Sequence, residues 1–241
     1  AGALAAAPVA FASDHPWGLG VENAPVEGYA PAAMRRVAGR APRGLEGSLY
    51  RNGPGWFRYG ASSTGHWFDG DGFIQRFAIA DGQVRHSAKF VDTLKRRIEQ
   101  QRQEIVFPGF GTRGRPGAPV ESPDDINAAN TSVMMAGGEL WALWEGGSPT
   151  RMNPDTLETI GIRPFREDLA AMPFTAHPKV EPNGRIWNIG AYGQRVIIWR
   201  LSANGAVEDA QVIDVGQPSY LHDWAVTERF LIIPLQPWVH D

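Results

Sequence analysis

The sequence predicts an all-β fold of the β-propeller kind, and three features lead to it. Its composition holds 28 Gly, 19 Pro and 9 Trp in 241 residues, which points to many turns between aromatic-rich strands. Three segments (residues 130–145, 175–190 and 221–235) repeat one pattern of strand, tight polar turn and apolar strand. Their turns, at Gly137-Gly138, Asn183-Gly184 and Glu228-Arg229, lie 46 and then 45 residues apart. That period matches one four-stranded blade, roughly 40–45 residues.

The remaining elements follow in chain order. Residues 1–13 are small and apolar and end near Ala10-Phe11-Ala12. They resemble the tail of a secretory signal peptide with an A-x-A cleavage site, the alternative being an unstructured Ala-rich tail. The propeller part is assigned to residues 14–241. Residues 73–91 read as a hairpin turning at Asp81-Gly82, whose alternation puts Arg76, Gln83 and Arg85 in water. Residues 94–105 break the β pattern as a heavily charged helix, expected to lie solvated on the surface. The Pro/Gly-rich residues 108–123 form a long loop of the kind that lines or covers a site. Turns at Asn153-Pro154-Asp155 and Asn204-Gly205 supply the outer strands of the blades.

Bulk properties exclude several classes of function. A net charge of −3 without a long basic stretch gives no footprint for nucleic acid. With no cysteine there are no disulfides, thiolate zinc sites or cysteine nucleophiles. Histidine, carboxylates and hydroxyls are left to carry any chemistry. No apolar run reaches the ~20 residues of a membrane-spanning helix. The compartment stays open between cytoplasm and periplasm.

Residues one period apart in a propeller converge on its axis. His177 and His222 stand 45 residues apart, each just ahead of its strand–turn–strand unit. Two imidazoles so placed can share a metal, although a histidine at a strand end is often only structural. Thr131 holds the equivalent place one blade earlier, so it faces the same axis beside the metal. Glu145 ends an apolar strand, where a carboxylate is either at the surface or buried beside a cation. Metal-bound histidines commonly give their second N–H to such a carboxylate. His15, His86 and His240 are off the period. His66 opens HWFDGDG, read as a tight turn stabilised by Asp69 and Asp71 rather than a calcium loop.

Six stretches together resemble the carotenoid cleavage oxygenases, which include apocarotenoid- and stilbene-cleaving enzymes. They are LEGSLYRNGP (45–54), HWFDGDG (66–72), ANTSV (129–133), LWALWEGGSP (140–149), FTAHPK (174–179) and LHDW (221–224). The resemblance runs from about residue 25 to the end and implies a seven-bladed propeller with Fe(2+) on its axis, held by four histidines. His177 and His222 match the first two ligands. Glu145 is similar to the first carboxylate behind a ligating histidine, and Thr131 to the threonine beside the open coordination position.

The resemblance also implies a non-haem Fe(II) dioxygenase that cleaves a conjugated C=C bond of a carotenoid or apocarotenoid with O₂, giving two carbonyl products. The partners it implies are an apolar polyene or stilbene, O₂, a membrane touched peripherally for substrate uptake, and a C-terminal half carrying the other two histidines. Four blades at most fit this chain, so the fragment alone is expected to leave the ring open and be inactive. Stilbene cleavers of the family use a tyrosine and a lysine, and Lys89-Phe90-Val91 offers Phe90 where the tyrosine is expected, which favours a polyene. The rival readings are a stilbene cleaver, a propeller that binds apolar ligands without cleaving them, and a non-catalytic scaffold with structural histidines.

Overall fold

A computed structural model of the chain describes residues 16–217 and 220–236. The expectations for residues 1–13, His15 and His240 lie outside them. Successive antiparallel sheets are packed face to face as blades of a β-propeller. In the first blade the strands run in the order Tyr29–Ala33, Gln83–Phe90, Asp71–Ala80, Gly47–Arg51, with Pro54–Trp56 also pairing to Asp71–Ala80. The second blade orders Ser132–Ala136, Glu139–Leu143, Thr150–Met152 and Thr159–Ile162 as a meander. The third repeats this with Lys179–Val180, Ile186–Tyr192, Arg195–Leu201 and Val207–Asp214. Ala225–Val226 and Leu231–Ile232 begin a fourth.

Local chemistry sets the registers. Ala136 pairs with Glu139 across Gly137-Gly138, both with positive φ (58° and 79°). Two left-handed residues make the turn whose twist suits a two-residue hairpin, and glycine adopts it without a steric cost.

Burial follows from blades stacking on both sides. Leu140 and Ala142 pack with Ile74 and Val91 of the first blade, whereas Trp141 and Leu143 pack with Ile186, Ile197, Trp199 and Leu201 of the third. The strand Glu139–Leu143 is therefore apolar on both faces, a continuous run rather than an alternation. Ile189 and Val196 likewise meet Leu221 and Trp224 of the fourth blade. Each large side chain so buried contributes about 1.5–3 kcal/mol.

Three sequence expectations are corrected here. The helix is Leu94–Arg102, capped by the Thr93 hydroxyl and ended by Gln103 in a left-handed conformation. It is not solvated all round: Lys95, Arg96 and Glu99 are buried. Lys95 Nζ bridges Asp71 (2.9 Å) and Glu99 (2.8 Å), Arg96 donates to Asp71 at 3.2 Å, and the Tyr59 hydroxyl donates to the same carboxylate. Burial alone would depress the Lys95 ammonium, but Asp71 and Glu99 more than offset it and raise its pKa. Charge density misled because it says nothing about which charges find buried partners. Arg76 is half-buried, donating to Ser48 and Asp155, rather than lying in water. Asp69 and Asp71 do not brace their own turn; their carboxylates reach the loop after Pro108 and the helix, respectively.

Candidate metal centre

Three blades each present one residue just ahead of their innermost strand: Thr131, His177 and His222. The Thr131 amide donates to Leu143 O, which extends the second blade's ladder to the rim. The Ser132 hydroxyl donates to Ala176 O (2.5 Å), joining that strand to the segment carrying His177. The Trp224 indole N–H donates to His177 O at 3.0 Å, joining the third blade to the fourth. Glu145 lies two residues past the strand Glu139–Leu143, and the loop beyond it is fixed by Asp124 and Asn127, both bonded to Ser148.

These anchors bring His177 and His222 edge to face, ring centroids 4.5 Å apart and planes at 77°. Glu145 Oε1 lies 2.7 Å from His222 Nδ1. One potential ligand atom from each of Glu145, His177 and His222 falls within 4.8 Å of the others. His177 Nε2 is buried without a hydrogen-bond partner, an uncommon state for a polar atom and one that a metal ion would resolve. Burial lowers the His177 pKa, with Asp223 opposing, which favours the neutral ring that a metal requires. Burial raises the Glu145 carboxyl to about 7 against the counter-pull of His222. With Nδ1 held by Glu145, His222 has Nε2 left for a metal. The donor set fits a divalent ion that accepts imidazole.

The three residues and Thr131 line a cavity of about 500 Å³ with largely apolar walls, to which Trp67, Phe68, Phe110, Trp144 and Tyr220 contribute. The long loop predicted to line a site does so through Phe110. Phe90 does not line it: its ring packs on Phe73 and under the Arg96 guanidinium, while Lys89 pairs with Glu158. The strand Gln83–Phe90 presents that residue to the blade's own core, so the inference about the missing tyrosine falls. Asn52 and Asn130 also line the cavity and were not singled out in the sequence. Asn52 clamps Ala129 O and Ser132 O, and Asn130 clamps Phe68 O and Gly70 O. Only the RNGP and ANTSV motifs hinted at them.

A family model described as retinal pigment epithelial membrane protein, RPE65, matches residues 23–241. The chain belongs to this family of carotenoid oxygenases. The apocarotenoid-15,15'-oxygenase of Synechocystis is 40% identical over 152 residues, covering 61% of this chain and 31% of that protein. The β,β-carotene 15,15'-dioxygenase of Mus musculus is 29% identical over 241 residues, covering 86% of this chain and 42% of that one. Among solved structures, a cobalt-substituted Synechocystis oxygenase superposes with a TM-score of 0.79 at 30% identity, covering 90% of this chain and 48% of its own. The chain thus spans less than half the length of these carotenoid oxygenase relatives. The superposed Synechocystis relative is described as cobalt-substituted.

Proposed function

We propose that the protein is a non-haem iron dioxygenase that cleaves a conjugated double bond of a carotenoid or apocarotenoid. The observation that carries this reading is the pair His177 and His222, from equivalent places in adjacent blades, converging in an apolar cavity with Glu145 behind one ring and an unpartnered nitrogen on the other. An Fe(II) ion held there would supply the binding and activation of O₂.

The chain's own residues would do the rest. Glu145 takes the Nδ1–H of His222 and so fixes the tautomer that presents Nε2. His177 and His222 serve as two of four histidine ligands, the other two coming from the rest of the protein. Thr131, on the cavity wall, would crowd one coordination position and so help leave a single open place for O₂. Trp144, Phe68 and Phe110 hold a long apolar substrate by shape, since a polyene offers few polar handles. In the overall reaction one C=C bond and one O₂ are consumed and two C=O bonds form.

Incubating the full-length iron-loaded protein with an apocarotenal under ¹⁸O₂ tests this. One labelled oxygen is expected in each carbonyl product; no label in either product, or no cleavage, contradicts the proposal. A parallel incubation with resveratrol tests the stilbene reading. Among the described residues the cavity offers Tyr220 but no lysine to a phenol, so the apocarotenal is expected to be the better substrate.

A further inference from the structure

From the geometry around the loop after Pro108 we infer that Asp69 is a positioning residue for substrate selection, acting through Phe110. This deepens the proposed polyene site and rests on it. The loop has little regular structure of its own, yet it places a half-exposed aromatic ring over the cavity. One buried carboxylate ties down the backbone that carries the ring, which also packs on His66, Phe68 and Tyr220. Asp69 Oδ1 accepts the Phe110 N–H at 2.5 Å, and Oδ2 accepts the Gly111 N–H at 3.0 Å and the Thr112 hydroxyl at 2.6 Å. Three donors converge on two oxygens, and an ionised carboxylate is the side chain that accepts them all.

The loop also has no room to settle closer. A Cβ on Gly109 would lie 2.4 Å from Asp69 Oδ1, and one on Gly111 would lie 2.6 Å from His66 Cβ. Asp69 is itself held, because Asn130, next to Thr131, clamps the carbonyls of Phe68 and Gly70 on either side of it. From Phe110 a run of rings continues inward. Its centroid lies 5.4 Å from Phe68 and 5.7 Å from Tyr220, and Tyr220 is parallel to His222 within 4° at 6.5 Å. Asp69 therefore sets where the aromatic wall stands relative to the proposed metal centre. Asp69 itself borders the cavity, but both of its oxygens accept donors of the loop, so its effect on the substrate's path is assigned to the placing of Phe110.

Asp69→Asn keeps the shape but replaces one acceptor oxygen with an NH₂ donor, so at least one of the three donors loses its partner. In the full-length iron-loaded protein, apocarotenals of two chain lengths are titrated and followed by quenching of tryptophan fluorescence. Trp67 and Trp144, both on the cavity wall, are the reporters. Asp69→Asn is expected to weaken binding by on the order of tenfold and to narrow the difference between the two lengths, with iron content unchanged. Phe110→Ala should do the same, and the double variant should bind no worse than Phe110→Ala alone. Thr112→Val, a milder cut at the same carboxylate, should shift affinity in the same direction and serves if Asp69→Asn folds poorly. Wild-type affinity in Asp69→Asn and Thr112→Val, or losses that add to that of Phe110→Ala, would overturn the inference. A wild-type protein that binds the polyenes without cleaving them refutes only the proposed reaction, and one that binds neither refutes both.

Discussion

Exchanging His222 for alanine in the full-length protein is expected to remove the proposed iron and to abolish the proposed polyene cleavage. The ring is half exposed and meets its surroundings mainly through Glu145, His177 and Tyr220, so its loss should cost the fold about 1 kcal/mol or less. For metal binding the loss is of another order. Removing only a partner behind a ligand typically costs 10–100-fold in affinity, so removing the ligand itself should cost well over ~100-fold. Glu145→Gln supplies the comparison. It leaves both imidazoles but takes away the charged acceptor at Nδ1, and should fall within that 10–100-fold range. Metal analysis after dialysis against a graded chelator, with product chromatography, reads both variants. Iron retained at wild-type affinity in His222→Ala would mean that this histidine is structural.

Asp71→Ala is the most destabilising single change expected within the first blade. Its side chain is 1% exposed and receives Lys95, Arg96 and Tyr59 together. Without it Arg96 is left buried with its charge unpaired, and Lys95 retains only Glu99. Breaking a buried ionic group in this way costs about 3–5 kcal/mol, because the remaining charges stay buried without compensation. Asp155→Ala is the control, since its bond to Arg76 is at the surface, with Asp155 78% exposed, and is worth about 1 kcal/mol or less. Thermal unfolding should show a drop of roughly 10 °C for Asp71→Ala and little change for Asp155→Ala. Equal midpoints would show that the network is not needed for stability.

The blades were legible because each carries its own local instructions. Asp81-Gly82 and Gly137-Gly138 name their turns, and the apolar runs around Trp141 and Trp199 mark strands that are covered on both sides. The spacing of Thr131, His177 and His222 was equally legible, since a circular repeat turns sequence period into a shared axis. What stayed hidden depends on contacts that no period encodes. Nothing near Asp69 shows that its carboxylate meets backbone amides 41 and 42 residues away. The charges of Lys95, Arg96 and Glu99 look like those of any exposed helix until Asp71 is placed beneath them. Phe90 went astray for the opposite reason: the resemblance to the family suggested a tyrosine position there with no motif to anchor it, and the ring packs instead on Phe73 and Arg96 within the blade.

Anomalous scattering at the iron edge, from crystals of the full-length protein, addresses the metal centre most directly. A single peak is expected within about 2.1 Å of ring nitrogens of both His177 and His222, as for imidazole on a divalent ion such as zinc, with Glu145 still at Nδ1 of His222. A peak away from this pair, or the two rings turned from one another with no metal between them, would contradict the account.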